Sequence, residues 1–192
     1  MIDAAVAAFS RGEYHTVRVD EIAEEAGTSE PRVYHHLGSK EGIFAACVRR
    51  EADRLVETIR GAVHDPRAPR DGGSLHRGML AFFTFVTDNR DGWTVLYRRA
   101  GGQGEPFAGQ IARARERVTS EITDLIVTCT AGTAPGLRDA QLLARIAVSA
   151  ADTFTGRLLE HPEETPHTMA GHVTALTWSS LGADRVGASA AP

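Results

Sequence analysis

Positive charge is scarce in this sequence. Its 21 Lys and Arg residues are outnumbered by 25 Asp and Glu, giving a formal net charge of −4. Within residues 1–55 seven basic side chains face ten acidic ones, a balance of −3. A generally basic surface of the kind that binds phosphate backbones by releasing counterions is therefore excluded, so any anion recognition must rest on a few placed groups. Lysine is almost missing, with Lys40 the single example. Cysteine is limited to Cys47 and Cys129, far apart and without a CxxC, which excludes a disulfide framework or a thiolate metal motif. Both fall on apolar helical stripes and read as core thiols. No apolar run reaches the length of a membrane span, and no signal-peptide pattern opens the chain, so a cytoplasmic location is expected. The glycine-rich run AGGQGEP, Ala100 to Pro106, has no Lys-Ser/Thr after it and no strand before it, so it is not a phosphate loop. No internal repeat is visible, and no motif asks for a cofactor.

What is present is helical periodicity across 192 residues that are 42% apolar, enough for a full core and one or two domains. The informative stretch is Val19 to Phe44, VDEIAEEAGTSEPRVYHHLGSKEGIF. Val19, Ile22, Ala23 and Ala26 keep helical spacing and give one face to pack inward. Gly27 ends that helix, because glycine tolerates the left-handed conformation a helix C-terminus often needs. Thr28 and Ser29 are candidate caps for a second helix, and Pro31 suits its first turn, where a missing N–H costs nothing. The pattern is a helix-turn-helix. The basic residues Arg18, Arg32, Lys40, Arg49 and Arg50 lie in or near it, while Asp20, Glu21, Glu24 and Glu25 are expected on the exposed back of its first helix. Arg18 stands where a capping Ser or Thr is expected; an arginine there opposes the helix dipole unless it faces an external anion such as a phosphate.

Around this motif the chain predicts further helices. Ile2, Ala5, Val6 and Phe9 define a first one, and Tyr14 and Val17 can plug the gap behind it. Ser39 is a plausible N-cap for a long helix carrying Ile43, Phe44, Cys47, Val48, Ala52, Leu55, Val56 and Ile59. A Pro- and Gly-rich loop from Gly61 to Gly73 follows. Next come helices over Leu75–Val86, ending at Asn89 to Gly92, then Trp93–Arg99, Phe107–Cys129, Asp139–Leu159 and about Thr168–Leu181. Small residues Ser149, Ala151, Thr153 and Gly156 would let a partner helix come close. The expected organisation is all-α: residues 1–45 as the helix-turn-helix domain, 46–184 as a second helical domain, and 185–192 as an Ala/Gly/Ser-rich disordered tail.

The chain resembles the TetR family of bacterial transcriptional regulators. The resemblance rests on Ile2-Asp3-Ala4-Ala5 with Phe9, on Val19-Asp20-Glu21-Ile22-Ala23-Glu24-Glu25-Ala26-Gly27, on Val33-Tyr34-His35-His36-Leu37, and on Ser39-Lys40-Glu41 leading to Phe44. It implies three N-terminal helices for DNA and a C-terminal helical domain for effector binding and homodimerisation. Carried over by position, it implies that Ser29, Arg32, Tyr34 and His35 face the major groove or its phosphates, and that Lys40 binds phosphate at the start of the long helix. Chemistry agrees: Arg32 can bond guanine O6 and N7 in parallel, and Thr28, Tyr34 and His35 can donate to phosphate oxygens. Val33 and Leu37 are expected in the core, and His36 in a packing or capping role. Three departures stand out. Arg18 replaces the usual cap; Pro31 removes a backbone donor beside an acidic Glu30, which either accepts from cytosine N4 or repels wrong sites; and no basic arm precedes the first helix in this sequence.

Aromatic and apolar residues in the middle of the chain form the expected effector pocket: Met79, Phe82, Phe83, Phe85, Trp93, Tyr97, Phe107 and Ile111, with His76, Thr84 or Thr87 to orient a small apolar or aromatic ligand. The alternative, that these are ordinary core side chains, stands beside it. Ile146, Ala150, Phe154, Val173 and Trp178 are the expected homodimer interface, on helices that can pair with their two-fold mates. The expected function is a ligand-released repressor bound to a pseudo-palindromic operator on double-stranded DNA, not an enzyme. The competing class is a small helical enzyme or metal-binding dimer built on His161, Glu163, Glu164 and His167, but that cluster lies among prolines in a turn without fixed coordination geometry.

Overall fold

The computed structural model describes residues 1–65, 73–97, 107–130 and 137–187, leaving aside the side chains at 107, 126–130, 137–140 and 178–187. Among the described residues all regular structure is helical: α1 (Ile2–Arg11), α2 (Val19–Glu25), α3 (Glu30–Leu37), α4 (Lys40–Val63), α5 (Ser74–Asp88), α6 (Arg90–Tyr97), α7 (Phe107–Thr130), α8 (Leu137–Glu160) and α9 (Pro166–Gly187). The all-α expectation is met. Two differences have a local cause. The stretch Asn89 to Gly92, read as a break, interrupts the helix at Asn89 alone; the Asn89 carbonyl accepts the Trp93 N–H at 2.9 Å and starts α6 at once. At the other end α9 carries helix to Gly187, three residues into the stretch expected to be a tail, while 188–192 lie outside the described residues.

The chain divides into two compact units, residues 1–55 with 89–118, and residues 56–88 with 119–192. In this division α6 and the first half of α7 group with the N-terminal helices. A buried charge lies where α1, α4 and the start of α6 meet. Glu51 of α4 is fully buried, and its carboxylate accepts from Arg50 Nε at 2.8 Å and from Arg54 Nη1 at 3.1 Å. Arg50 also reaches Asp3 on α1, and Arg54 Nη2 donates to Asn89 Oδ1 at 2.6 Å just before α6. In the first turn of α6, a Cβ on Gly92 would lie 2.4 Å from Glu51 Oε2, so only glycine lets the carboxylate sit against that helix start, where the dipole favours it. Ser10 Oγ, donating to Asp91 Oδ1 at 2.8 Å, ties α1 to the same turn.

The apolar core of this first unit is built on α1, which buries Ala4, Ala5, Val6 and Phe9. The Phe9 ring stacks on Tyr14 at 5.8 Å and meets Phe44 edge-on at 5.2 Å, so Tyr14 fills the gap as its position predicted. Burial pushes the Tyr14 phenol well above its usual range, with a further contribution from Glu41. Cys47 is buried and free, and burial raises its thiol to about 12; it is an inert core residue. The side chain of Cys129 lies outside the described residues.

In the second unit α5 buries Met79, Phe82, Phe83, Phe85 and Val86 and packs on α9, which packs in turn on α8. Ala144, Ala147 and Ala170 have no exposed surface, so these helices meet through alanines. Of the small residues expected to serve that role, Ala151 does, whereas Ser149, Thr153 and Gly156 face outward. The Arg77 guanidinium donates to the carbonyls of Ala62 and Val63, satisfying the end of α4.

Candidate nucleic-acid interface

The turn between α2 and α3 follows from Gly27. At φ 62° it closes a Schellman arrangement in which Thr28 N–H donates to Ala23 O at 2.9 Å and Gly27 N–H to Glu24 O at 3.0 Å. The chain leaves α2 sharply enough for α3 to start three residues later. Val33, with no exposed surface, pins α3 to the core, a burial that contributes on the order of 1.5 kcal/mol. Leu37, expected in the core, is only half-buried.

Ser29 occupies the N-cap position of α3 but makes no side-chain capping bond. Pro31 explains this: it removes the N–H at the second helical position, and the next one, on Arg32, is taken by the Ser29 carbonyl at 2.9 Å. The Ser29 hydroxyl is therefore not consumed by the helix. Ser29, Arg32, Tyr34 and His35 are all exposed, Tyr34 at 41%, a high value for a large aromatic residue. Thr28 is half-buried at the turn. His36, expected to pack or cap, is exposed instead and stands edge-on to His35 at 5.2 Å. After α3, Ser39 Oγ accepts the Gly42 N–H at 3.2 Å and caps α4 as expected. Lys40 is held there with Nζ 4.7 Å above the Tyr14 ring and 3.4 Å from the His15 carbonyl. Both contacts are to neutral groups, and the neighbouring Glu41 carboxylate feels the charge of Lys40 without forming an ion pair with it.

Pairing separates the cations of residues 1–55 into two groups. Arg11 bonds Glu25 at 2.8 Å, Arg18 bonds Asp20, and Arg50 and Arg54 serve Glu51. Arg32, Lys40 and Arg49 carry no ion pair with a carboxylate among the described residues. Arg32 lies on the exposed face of α3, and Lys40 follows its C-terminal end.

The other expected sites fare unevenly. Met79, Phe82, Phe83 and Phe85 are buried on α5 in the second unit, whereas Trp93, Tyr97 and Ile111 belong to the first; the Phe107 side chain lies outside the described residues. Trp93 and Tyr97 stack at 3.6 Å, with the Arg115 guanidinium over Tyr97 at 4.8 Å. For the dimer face, Ile146, Ala150 and Phe154 are partly exposed along α8, but Val173 has no exposed surface and is a core residue of its own protomer. The Trp178 side chain lies outside the described residues. Leu142, 59% exposed, and Leu176, 53% exposed, lie on the apolar stripes of α8 and α9 yet face outward, and Leu142 continues the four-residue spacing of 146, 150 and 154. The residues of the alternative metal site have separate partners: His161 with Glu163 at 3.1 Å, Glu164 with Arg157, and His167 against the His76 ring. Among the described residues no helix is long and apolar enough to cross a membrane.

An exposed short helix, anchored by one apolar residue and presented after a glycine turn, defines the chain as a helix-turn-helix protein. Comparison with known proteins makes this specific. The family model "Bacterial regulatory proteins, tetR family" matches residues 1–47, and "Tetracyclin repressor-like, C-terminal domain" matches residues 72–180. The chain belongs to the TetR family of transcriptional regulators. It is similar to the transcriptional activator FasR of Mycolicibacterium smegmatis, 32% identical over 126 residues, 66% of this chain and 56% of FasR. It is also similar to the transcriptional repressor AcnR of Corynebacterium glutamicum, 32% identical over 75 residues, 34% of this chain and 40% of AcnR. The match thus spans little more than half the length of the first of these relatives and less of the second. A TetR-like transcriptional regulator from Rhodococcus sp. RHA1 shares the fold with TM-score 0.71 and 32% identity, over 94% of this chain and 93% of that one.

Proposed function

We propose that the chain is a DNA-binding repressor that acts as a homodimer in the cytoplasm and is released from a pseudo-palindromic operator by a small apolar or aromatic effector. The observation that carries this reading is α3: Ser29, Arg32, Tyr34 and His35 are exposed at a helix anchored by Val33, while Arg11, Arg18, Arg50 and Arg54 of the same segment, residues 1–55, are paired with carboxylates. Arg32 reads a guanine by two hydrogen bonds, while Ser29, Thr28, Tyr34, His35 and Lys40 fix register on phosphates. Arg18 reaches a phosphate at the start of α2. Two-fold pairing along Leu142, Ile146, Ala150, Phe154, Leu176 and Trp178 presents two copies of α3 to successive major grooves, about 34–36 Å apart. The apolar side chains of α5 in the second unit, Met79, Phe82, Phe83 and Phe85, supply the effector site. Ligand then shifts the population toward a form that holds the two readers at the wrong separation, with α4 as the connecting lever.

Both modes of regulation occur among the relatives, since FasR is an activator and AcnR a repressor. Selection of bound duplexes from a random pool tests the DNA assignment; the expected product is an inverted repeat, and recovery of no enriched sequence ends it. A reporter placed behind the selected site should fall when the chain is expressed, and a rise would replace repression by activation.

A further inference from the structure

Arg18 is the one proposed phosphate contact that already holds an anion. Its Nε donates to Asp20 Oδ1 at 3.0 Å and its Nη2 to Asp20 Oδ2, a two-pronged pairing across two residues at the start of α2. Both side chains are in water, Arg18 at 68% exposed and Asp20 at 45%. Asp20 is itself fixed, because its Oδ1 also accepts the Glu21 N–H at 3.0 Å. Glu21 and Glu30 add to the negative field on the guanidinium, and Glu30 is the first residue of α3. Arg18 therefore stands beside the reading helix, oriented and neutralised at once. A phosphate reaching it must take over the two donors that Asp20 occupies.

We propose that Asp20 is a built-in competitor for the DNA backbone at Arg18, lowering affinity for duplex of any sequence so that stable binding depends on the base contacts of α3. The physical basis is counterion exchange. In the native chain a phosphate gained by Arg18 leaves the Asp20 carboxylate unpaired beside the DNA backbone, and their repulsion offsets most of what the counterion release contributes. With a neutral amide at the same position the contact releases one counterion outright. Because the pair is solvent-exposed, the effect is several-fold rather than many orders of magnitude.

The proposal rests on α2 and α3 facing DNA, and its test keeps the two apart. Binding of a mixed-sequence duplex is measured across a salt series for the full chain and for Asp20→Asn, Arg18→Ala, the double variant, and Glu24→Gln, which removes an equal charge from the same helix. Asp20→Asn should tighten binding about two- to five-fold at low salt and steepen the dependence of log affinity on log salt by about 0.9. The gain should vanish in the double variant, and Glu24→Gln should show less of it. Asp20→Asn binding equal to the native chain, or a gain that persists without Arg18, overturns the role of Asp20. A native chain with no salt-sensitive duplex binding overturns the DNA assignment itself. Circular dichroism melts of each variant separate lost binding from lost fold, and Arg18→Ala with native melting still supplies the control if Asp20→Asn unfolds.

Discussion

The charges around Glu51 and those around α3 lie in the same unit and do opposite work. At Glu51 two arginines are spent on a carboxylate with no exposed surface, and the result is mechanical: α1, α4 and α6 are fixed to one another. Near α3 the charges face water, and there Arg32 and Lys40 are left unpaired with carboxylates while Arg18 is held by Asp20. A buried charge must be paired or it destabilises the fold, whereas an exposed cation without an anion is available to an external one. Net charge misses this distinction, so residues 1–55, with more acidic than basic side chains, still present cations at the reading helix.

The largest expected effect comes from breaking the buried side. Arg50→Ala leaves the Glu51 carboxylate in the core with Arg54 as its remaining partner and should cost about 3 kcal/mol of stability, read as a lower denaturant midpoint. An unchanged midpoint would mean that the carboxylate relaxes to water. On the exposed side, Arg32→Ala should leave the midpoint in place and remove about 1–3 kcal/mol of discrimination at one base pair of the selected site. Lys40→Ala should weaken every sequence alike and reduce the salt slope by about 0.9. A salt series in which these two variants behave identically would remove the division between reading and anchoring. The smallest effect is expected at Arg11→Ala, whose exposed partner Glu25 lies outside the reading face. A change of about 0–1 kcal/mol in stability and none in DNA affinity is predicted, and a clear loss of DNA binding would extend the interface to the far side of α2.

Much of this contrast is legible in the chain. The glycine turn, the single apolar anchor of α3 and the cap of α4 each follow from one residue acting on its neighbours. Glu51 gave a signal that was available: it lies four residues after Cys47 and four before Leu55, on the apolar stripe of α4, where a carboxylate demands partners. Arg50 and Arg54 lie beside it in sequence, but what this group packs against was not legible, because Asp3, Asn89 and Gly92 come from distant parts of the chain. Val173 illustrates the opposite limit. Periodicity places it on an apolar face of α9 but does not say whether that face meets its own core or a second copy.

The sequence by itself determined the helices, the turn at Gly27 and the residue types offered by α3, since these depend on backbone preference and spacing within a few residues. Only the tertiary structure decided which arginines are paired, that α6 belongs with the N-terminal helices, and that Arg18 holds Asp20. Pairing depends on distances between groups, and for charges a few ångströms decide whether a side chain supports the fold or stays free to bind.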